Sequence, residues 1–204
     1  MIPKAKKNLH ECKYHLNNMI NSANVEELEI NFAAFVNSAR NVTFVLQKEF
    51  AGNEKFEEWY ASKEKEMRND NLLDFFKNLR NKIVKEGINH IEANTIIKKF
   101  NSSKDLINRP PNSSFLITGK GIFYMVKEGT PQEDLVPAKT KGEILSTVFI
   151  ENSPTEHLGK KILNNNIIEI SKLYYTYCLG IVEEWIGIII AHECEEEDSN
   201  PRRH

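Results

Sequence analysis

The chain has 204 residues and carries 27 Lys+Arg against 29 Asp+Glu, a net charge of −2. That length fits one domain that buries a core without disulfide or metal, and that balance excludes a strongly basic nucleic-acid binder while leaving room for a local patch. The three cysteines, Cys12, Cys178 and Cys194, form no C-x-x-C pair, so neither a disulfide framework nor a zinc site is expected.

The opening stretch, MIPKAKKNLHECKYHLNNM, lacks an uninterrupted apolar run and does not read as a signal peptide. Apolar residues Leu9, Cys12, Leu16, Met19 and Ile20 recur at helical spacing and predict a first helix from about Pro3 to Asn21. Asn24 is an N-cap for a longer second helix, with a wide stripe from Leu28 and Phe32 to Leu46 and Phe50. Gly52 ends it. A third helix carries Phe56, Trp59, Tyr60 and Met67 over a Glu- and Lys-rich outer face. Asp70 or Asn71 caps a fourth, built on Leu72, Leu73, Phe75, Phe76, Leu79 and Ile83, which Gly87 stops.

Beyond Gly87 the pattern changes. Residues Ile88 to Phe100 are β-branched and fit either an irregular helix or a strand. Asn108-Arg109-Pro110-Pro111-Asn112 is a break. Phe115, Ile117, Ile122, Tyr124 and Val126 alternate about Gly119-Lys120-Gly121, which predicts a β-hairpin turning at the glycines. Ile144 to Glu151 is a third strand. A long helix from about Asn164 to His192 carries Ile167, Ile170, Tyr174, Tyr177, Ile181, Trp185 and Ile188. Its strongest apolar run, Ile181 to Ala191, contains Glu183 and Glu184 and falls short of the roughly 20 residues that span a bilayer.

The expected fold is therefore mainly α, a helical bundle with a small antiparallel insert before a long C-terminal helix. One domain covers 1–192, divided into a helical half (1–87), a β insert (108–152) and the last helix (164–192). Residues 193–204 are expected to form a flexible acidic tail. The setting is expected to be cytoplasmic, with no membrane and no cofactor. The last helix is apolar on more than one face, so either the insert or a second copy must cover its far side, and a homodimer is expected.

One segment carries chemistry: Leu79-Arg80-Asn81-Lys82-Ile83-Val84-Lys85-Glu86-Gly87. It resembles the motif region of HEPN-type helical domains, bundles of four or five helices. Their active members are metal-independent ribonucleases with Arg, often followed directly by Asn, then His after four to six intervening residues. Arg80 and Asn81 match this pattern, and Lys85 stands where the His belongs. The segments AAFVNSARNVTFVLQKEF, FEEWYASKEKEMRNDNLLDFFKNLRNKIVKEG and PPNSSFLITGKGIFYMV also resemble a group of uncharacterised prokaryotic proteins of similar length.

The departure at Lys85 bears on catalysis. Cleavage by the RNA 2′-hydroxyl needs a base and an acid that titrate near working pH. Histidine ordinarily titrates near 6.5 and lysine near 10.4, so a neutral-pH lysine base needs its charged form destabilised by about 4 kcal/mol. On a regular helix Asn81 and Lys85 share a face, and Arg80 is turned about 140° from Lys85. The structural alternative has Arg80 paired with a carboxylate of the third helix. The expected function is a degenerate, non-catalytic interaction module that binds a protein or RNA. A ribonuclease using Arg80, Asn81 and Lys85 is the enzymatic alternative, and an assembly protein with no ligand site is the third.

The remaining motifs are weaker. Gly119-Lys120-Gly121 lacks phosphate-loop spacing and fits a turn. His192-Glu193-Cys194, with His204, offers metal-capable groups without a second pair at ligand spacing. His10 and His15 fall on different faces of the first helix.

Overall fold

The computed structural model describes residues 4–22, 24–87, 91–126 and 134–199. Four helices come first: α1 (Ala5–Ile20), α2 (Val25–Glu49), α3 (Glu54–Asn69) and α4 (Asn71–Glu86). Nine short strands follow: β1 (Ile91–Lys99), β2 (Leu106–Ile107), β3 (Ser113–Thr118), β4 (Gly121–Val126), β5 (Asp134–Pro137), β6 (Lys139–Thr140), β7 (Glu143–Ile150), β8 (Glu156–His157) and β9 (Lys160–Lys161). Helix α5 (Ile167–Ser199) closes the chain. More than half of the structure is helical.

The helix ends follow local chemistry. The Glu27 N–H donates to Asn24 Oδ1 at 2.8 Å, which fixes the start of α2. Asn53 caps α3 through the Phe56 N–H at 3.0 Å, and Asp70 caps α4 through the Leu73 N–H at 2.9 Å. Gly87 takes φ +79° and ends α4, a conformation that side chains with a Cβ disfavour.

The core runs between α2 and α5, closed by α1 on one side and α4 on the other. Phe32, Phe35, Val36, Ala39, Val42 and Leu46 of α2 are buried, as are Ile170, Tyr174, Cys178, Ile181, Val182 and Trp185 of α5. Phe76 of α4 stacks on Tyr174, ring centroids 4.2 Å apart. Burying a side chain of this size stabilises by about 1.5–3 kcal/mol.

Trp185 is covered by the bundle's own aromatic residues. Its ring stacks on Trp59 at 5.3 Å and meets the edges of Phe50 and Phe56. The insert does not supply this cover. From Ile167 to His192, α5 is long and apolar enough to cross a membrane by length and composition, more than the run from Ile181 alone suggests. One face of that stretch is bundle core. The helix also runs past His192 to Ser199; residues 200–204 lie outside the described ones.

All strand pairs among the described residues are antiparallel. The ambiguous segment is strand from Ile91 to Lys99, with residues 88–90 outside the described ones: β1 pairs β7 with Ile91 opposite Ile150, in keeping with its β-branched Thr95, Ile96 and Ile97. Val148 and Ile150 of β7 enter the main core. The hairpin forms as the alternation predicts, with Thr118 opposite Gly121 and β5 added beyond β4. Gly121 takes φ +128°. Gly119 has a different reason: a Cβ there would stand 2.1 Å from the Ala93 carbonyl oxygen. The hairpin tip thus lies on the β1 backbone, and Thr95 Oγ1 donates to the Gly119 carbonyl at 2.9 Å.

Candidate functional site

The three residues of the Arg-Asn motif lie on one helix and differ in exposure. Arg80 is half-buried on α4, and its Nε is buried without a hydrogen-bond partner among the described residues. Asn81 and Lys85 are exposed. Lys85 lies in the last turn of α4, where a cation favours the helix dipole. No described carboxylate pairs with Arg80, so the ion pair with the third helix is not what holds it.

A more organised site lies at the junction of α3 and α4. Asp70, the α4 N-cap, is buried with a side-chain exposure of 5 %. One carboxylate accepts from three donors. Leu73 N–H reaches Oδ1 at 2.9 Å, Leu158 N–H reaches Oδ2 at 2.7 Å, and His157 Nδ1 lies 3.1 Å from both oxygens. Burial pushes the Asp70 carboxyl up, but the Leu158 and Leu73 N–H groups and the His157 ring together outweigh it. The net effect holds its pKa below the ordinary value.

Because a carboxylate only accepts, the contact assigns the proton of a neutral His157 ring to Nδ1 and leaves Nε2 as an acceptor. The Tyr177 ring stands edge-on to the imidazole at 5.7 Å, and its hydroxyl donates to Glu66 at 2.8 Å. Burial, and then Glu66, push the phenol well above its ordinary pKa, so it remains a donor.

The chain reaches Asp70 through a strained turn. β8 and β9 are joined by Leu158 at φ +48° and Gly159 at φ +73°, the two positive angles that a type I′ hairpin demands. Glycine adopts this freely, whereas leucine does so at about 1–2 kcal/mol. The short bond from Leu158 N–H to the buried carboxylate offsets that cost.

His157 also lines a cavity of about 460 Å³ with Lys160, Lys161, Leu163, Lys172 and Leu173. Glu169 pairs with Lys172 at 2.7 Å. Lys160 and Lys161 are exposed and in no ion pair among the described residues. The surroundings of the oriented imidazole are thus cationic, in a chain that is slightly acidic overall. This arrangement can hold a phosphate between the lysines and the imidazole.

The remaining candidates contribute little. Burial pushes Cys12 up to about 11 and Cys178 higher, so neither presents a thiolate. Among the described residues no three His, Cys, Asp or Glu gather as a metal site. The side chain of Cys194 and all of His204 lie outside the described residues. His15 Nδ1 lies 3.3 Å from Asn31 Oδ1, and Gly119-Lys120-Gly121 is a hairpin turn.

Sequence reasoning missed His157. Glu156 and His157 are followed by Leu-Gly, which lacks the Asn-Gly or Asp-Gly signature of a two-residue hairpin. The one available signal was the choice of Asp70 as a helix cap, since a buried Asp cap has acceptor capacity left over for a second segment.

Among known families, a model described as bacteriophage lambda protein ea47 matches residues 2–183. No curated protein matches, and no solved structure does. The matched span contains all four amino-terminal helices, the strands, the Asp70–His157 pair and the first half of α5, and the chain belongs to the bacteriophage lambda protein ea47 family.

Proposed function

We propose that the protein is an interaction module that binds single-stranded RNA without cutting it, and that the cavity beside His157 seats a backbone phosphate. The observation that supports this is the imidazole fixed by buried Asp70 at the wall of a cavity with Lys160, Lys161 and Lys172. Lysines at that spacing neutralise phosphates, and Leu163, 93 % exposed, and Leu158, 50 % exposed, offer apolar surface for bases. The five-helix bundle with Arg80-Asn81 on α4 supports a HEPN-like kinship in which the catalytic site has been lost. The working form is a cytoplasmic homodimer paired along the outer face of α5. Gly180 and Gly187 are exposed on that face, and a Cβ added at either would meet nothing within 4 Å, although glycine inside a helix costs about 1 kcal/mol relative to alanine. Close approach of a second helix gives both a purpose.

Titration with inorganic phosphate and with hexauridylate, followed through the His157 ring resonances, tests the reading. Both ligands are expected to shift Nε2 saturably, and Lys160→Ala with Lys161→Ala is expected to weaken the response about tenfold. Resonances that stay still, or that move equally in the double variant, overturn it.

A further inference from the structure

A second crevice, between α2, α3, α4 and α5, holds a charge that the fold leaves without a counter-ion. Arg40 is half-buried on α2. Its Nη1 donates to Thr43 Oγ1 at 3.2 Å, and its Cζ stands 4.3 Å from the centroid of the Phe44 ring. Both contacts orient the guanidinium, but neither neutralises it. Among the described residues no carboxylate lies in ion-pair reach of Arg40. Taking a cation out of water without a partner is unfavourable, so the arrangement is incomplete as it stands.

The surroundings define what would complete it. Arg40 lines a cavity of about 240 Å³ together with Arg68, Lys77, Glu64, Tyr60 and Gln47. Glu64 is engaged with Arg68 at 2.9 Å, and Lys77 with Asp74, a residue outside the cavity lining. The three cations of the lining are offset by Glu64 within it and by Asp74 beside it, which leaves room for one added negative charge and no need for two. We propose that this crevice seats a ligand carboxylate on Arg40. The planar fork of a guanidinium matches two carboxylate oxygens, and Glu64 in the same wall disfavours a phosphate dianion. Tyr60, whose phenol burial holds protonated, and Gln47 supply neutral donors beside it.

The carboxylate can come from a small acid or from an acidic side chain of a partner protein, and the test separates them. The full-length protein is titrated with sodium acetate and with a hexaglutamate peptide, against sodium chloride at equal ionic strength. The Arg40 Nε–Hε resonance is the readout in the native protein, and the side-chain amide of Gln47, in the same lining, is the readout shared with Arg40→Lys. A saturable shift with either carboxylate and none with chloride is expected. Saturation at lower concentration by the peptide assigns the carboxylate to a protein partner, and the reverse assigns it to a small acid. Arg40→Lys keeps the charge without the fork and is expected to weaken binding at least tenfold. If that variant fails to fold, the native titration decides alone. The proposal is overturned by the same shift in chloride, by no shift at all, by tighter binding of inorganic phosphate than of acetate, or by unchanged affinity in folded Arg40→Lys.

Discussion

His157 Nδ1 lies 3.1 Å from each carboxylate oxygen of Asp70 across a separation of 87 residues. The same carboxylate begins α4 and anchors the Leu158 turn. One buried acid therefore joins the helical half of the chain to the last hairpin before α5 and orients the ring that faces the lysine-lined cavity.

Asp70→Ala is expected to cost about 2–4 kcal/mol, the sum of a lost helix cap and of donors left unsatisfied in a buried place. Asp70→Asn retains an N-cap acceptor and is expected to lose less. Urea unfolding of both variants measures this. If both fall within about 0.5 kcal/mol of the native protein, Asp70 does not hold the hairpin.

The pair also sets an acid limb of stability. In the folded state the Asp70 pKa is held below its ordinary value of 3.8, so the unfolded chain binds more protons in that window. Stability from this group is fully present above pH 3.8 and is lost as pH falls through the lower folded value. Thermal unfolding between pH 5 and pH 2 should show a shallower fall in Asp70→Asn than in the native protein. Parallel curves would remove Asp70 as a source of that limb.

At the hairpin tip, Gly119→Ala places a methyl 2.1 Å from the Ala93 carbonyl oxygen, a backbone atom that cannot swing aside. The hairpin must lift from β1 or both backbones must shift, at an expected cost of about 1–3 kcal/mol. Faster amide exchange at Thr95 and along β1 is the predicted signature. Gly180→Ala, with open space around it, is expected to leave monomer stability unchanged or raise it.

Pairing through α5 has its own test. Light scattering at micromolar concentration is expected to give twice the chain mass, and Gly180→Leu with Gly187→Leu is expected to give the monomer mass, because branched side chains block close helix approach. A native monomer ends the dimer reading. The burial of Trp185 within a single chain, at 2 % exposure, means that the tryptophan is not what a partner would cover.

The helical half was legible because its signals are local. Asn24, Asp70 and Gly87 act where a cap or stop should act, and apolar spacing alone places Phe32, Phe35 and Leu46 inside. The hairpin at Gly119 was legible for the same reason, although the contact of Gly119 with Ala93 was not, since it joins segments far apart in sequence. The site was much less legible. A resemblance drew attention to Arg80, Asn81 and Lys85, which lie along one helix but differ in exposure. The organised pair depends on a long-range contact and on a leucine in a conformation that leucine disfavours, and no residue pattern near His157 announces either.

The most direct measurement takes one sample of purified protein in EDTA with a labelled single-stranded RNA and reads binding and cleavage together at two salt concentrations. The account predicts binding that weakens as salt rises and that falls about tenfold in Lys160→Ala with Lys161→Ala, with the RNA intact throughout and no difference on Arg80→Ala. RNA cut to cyclic phosphate ends by the native protein but not by Arg80→Ala, or RNA that does not bind at either salt concentration, would contradict it.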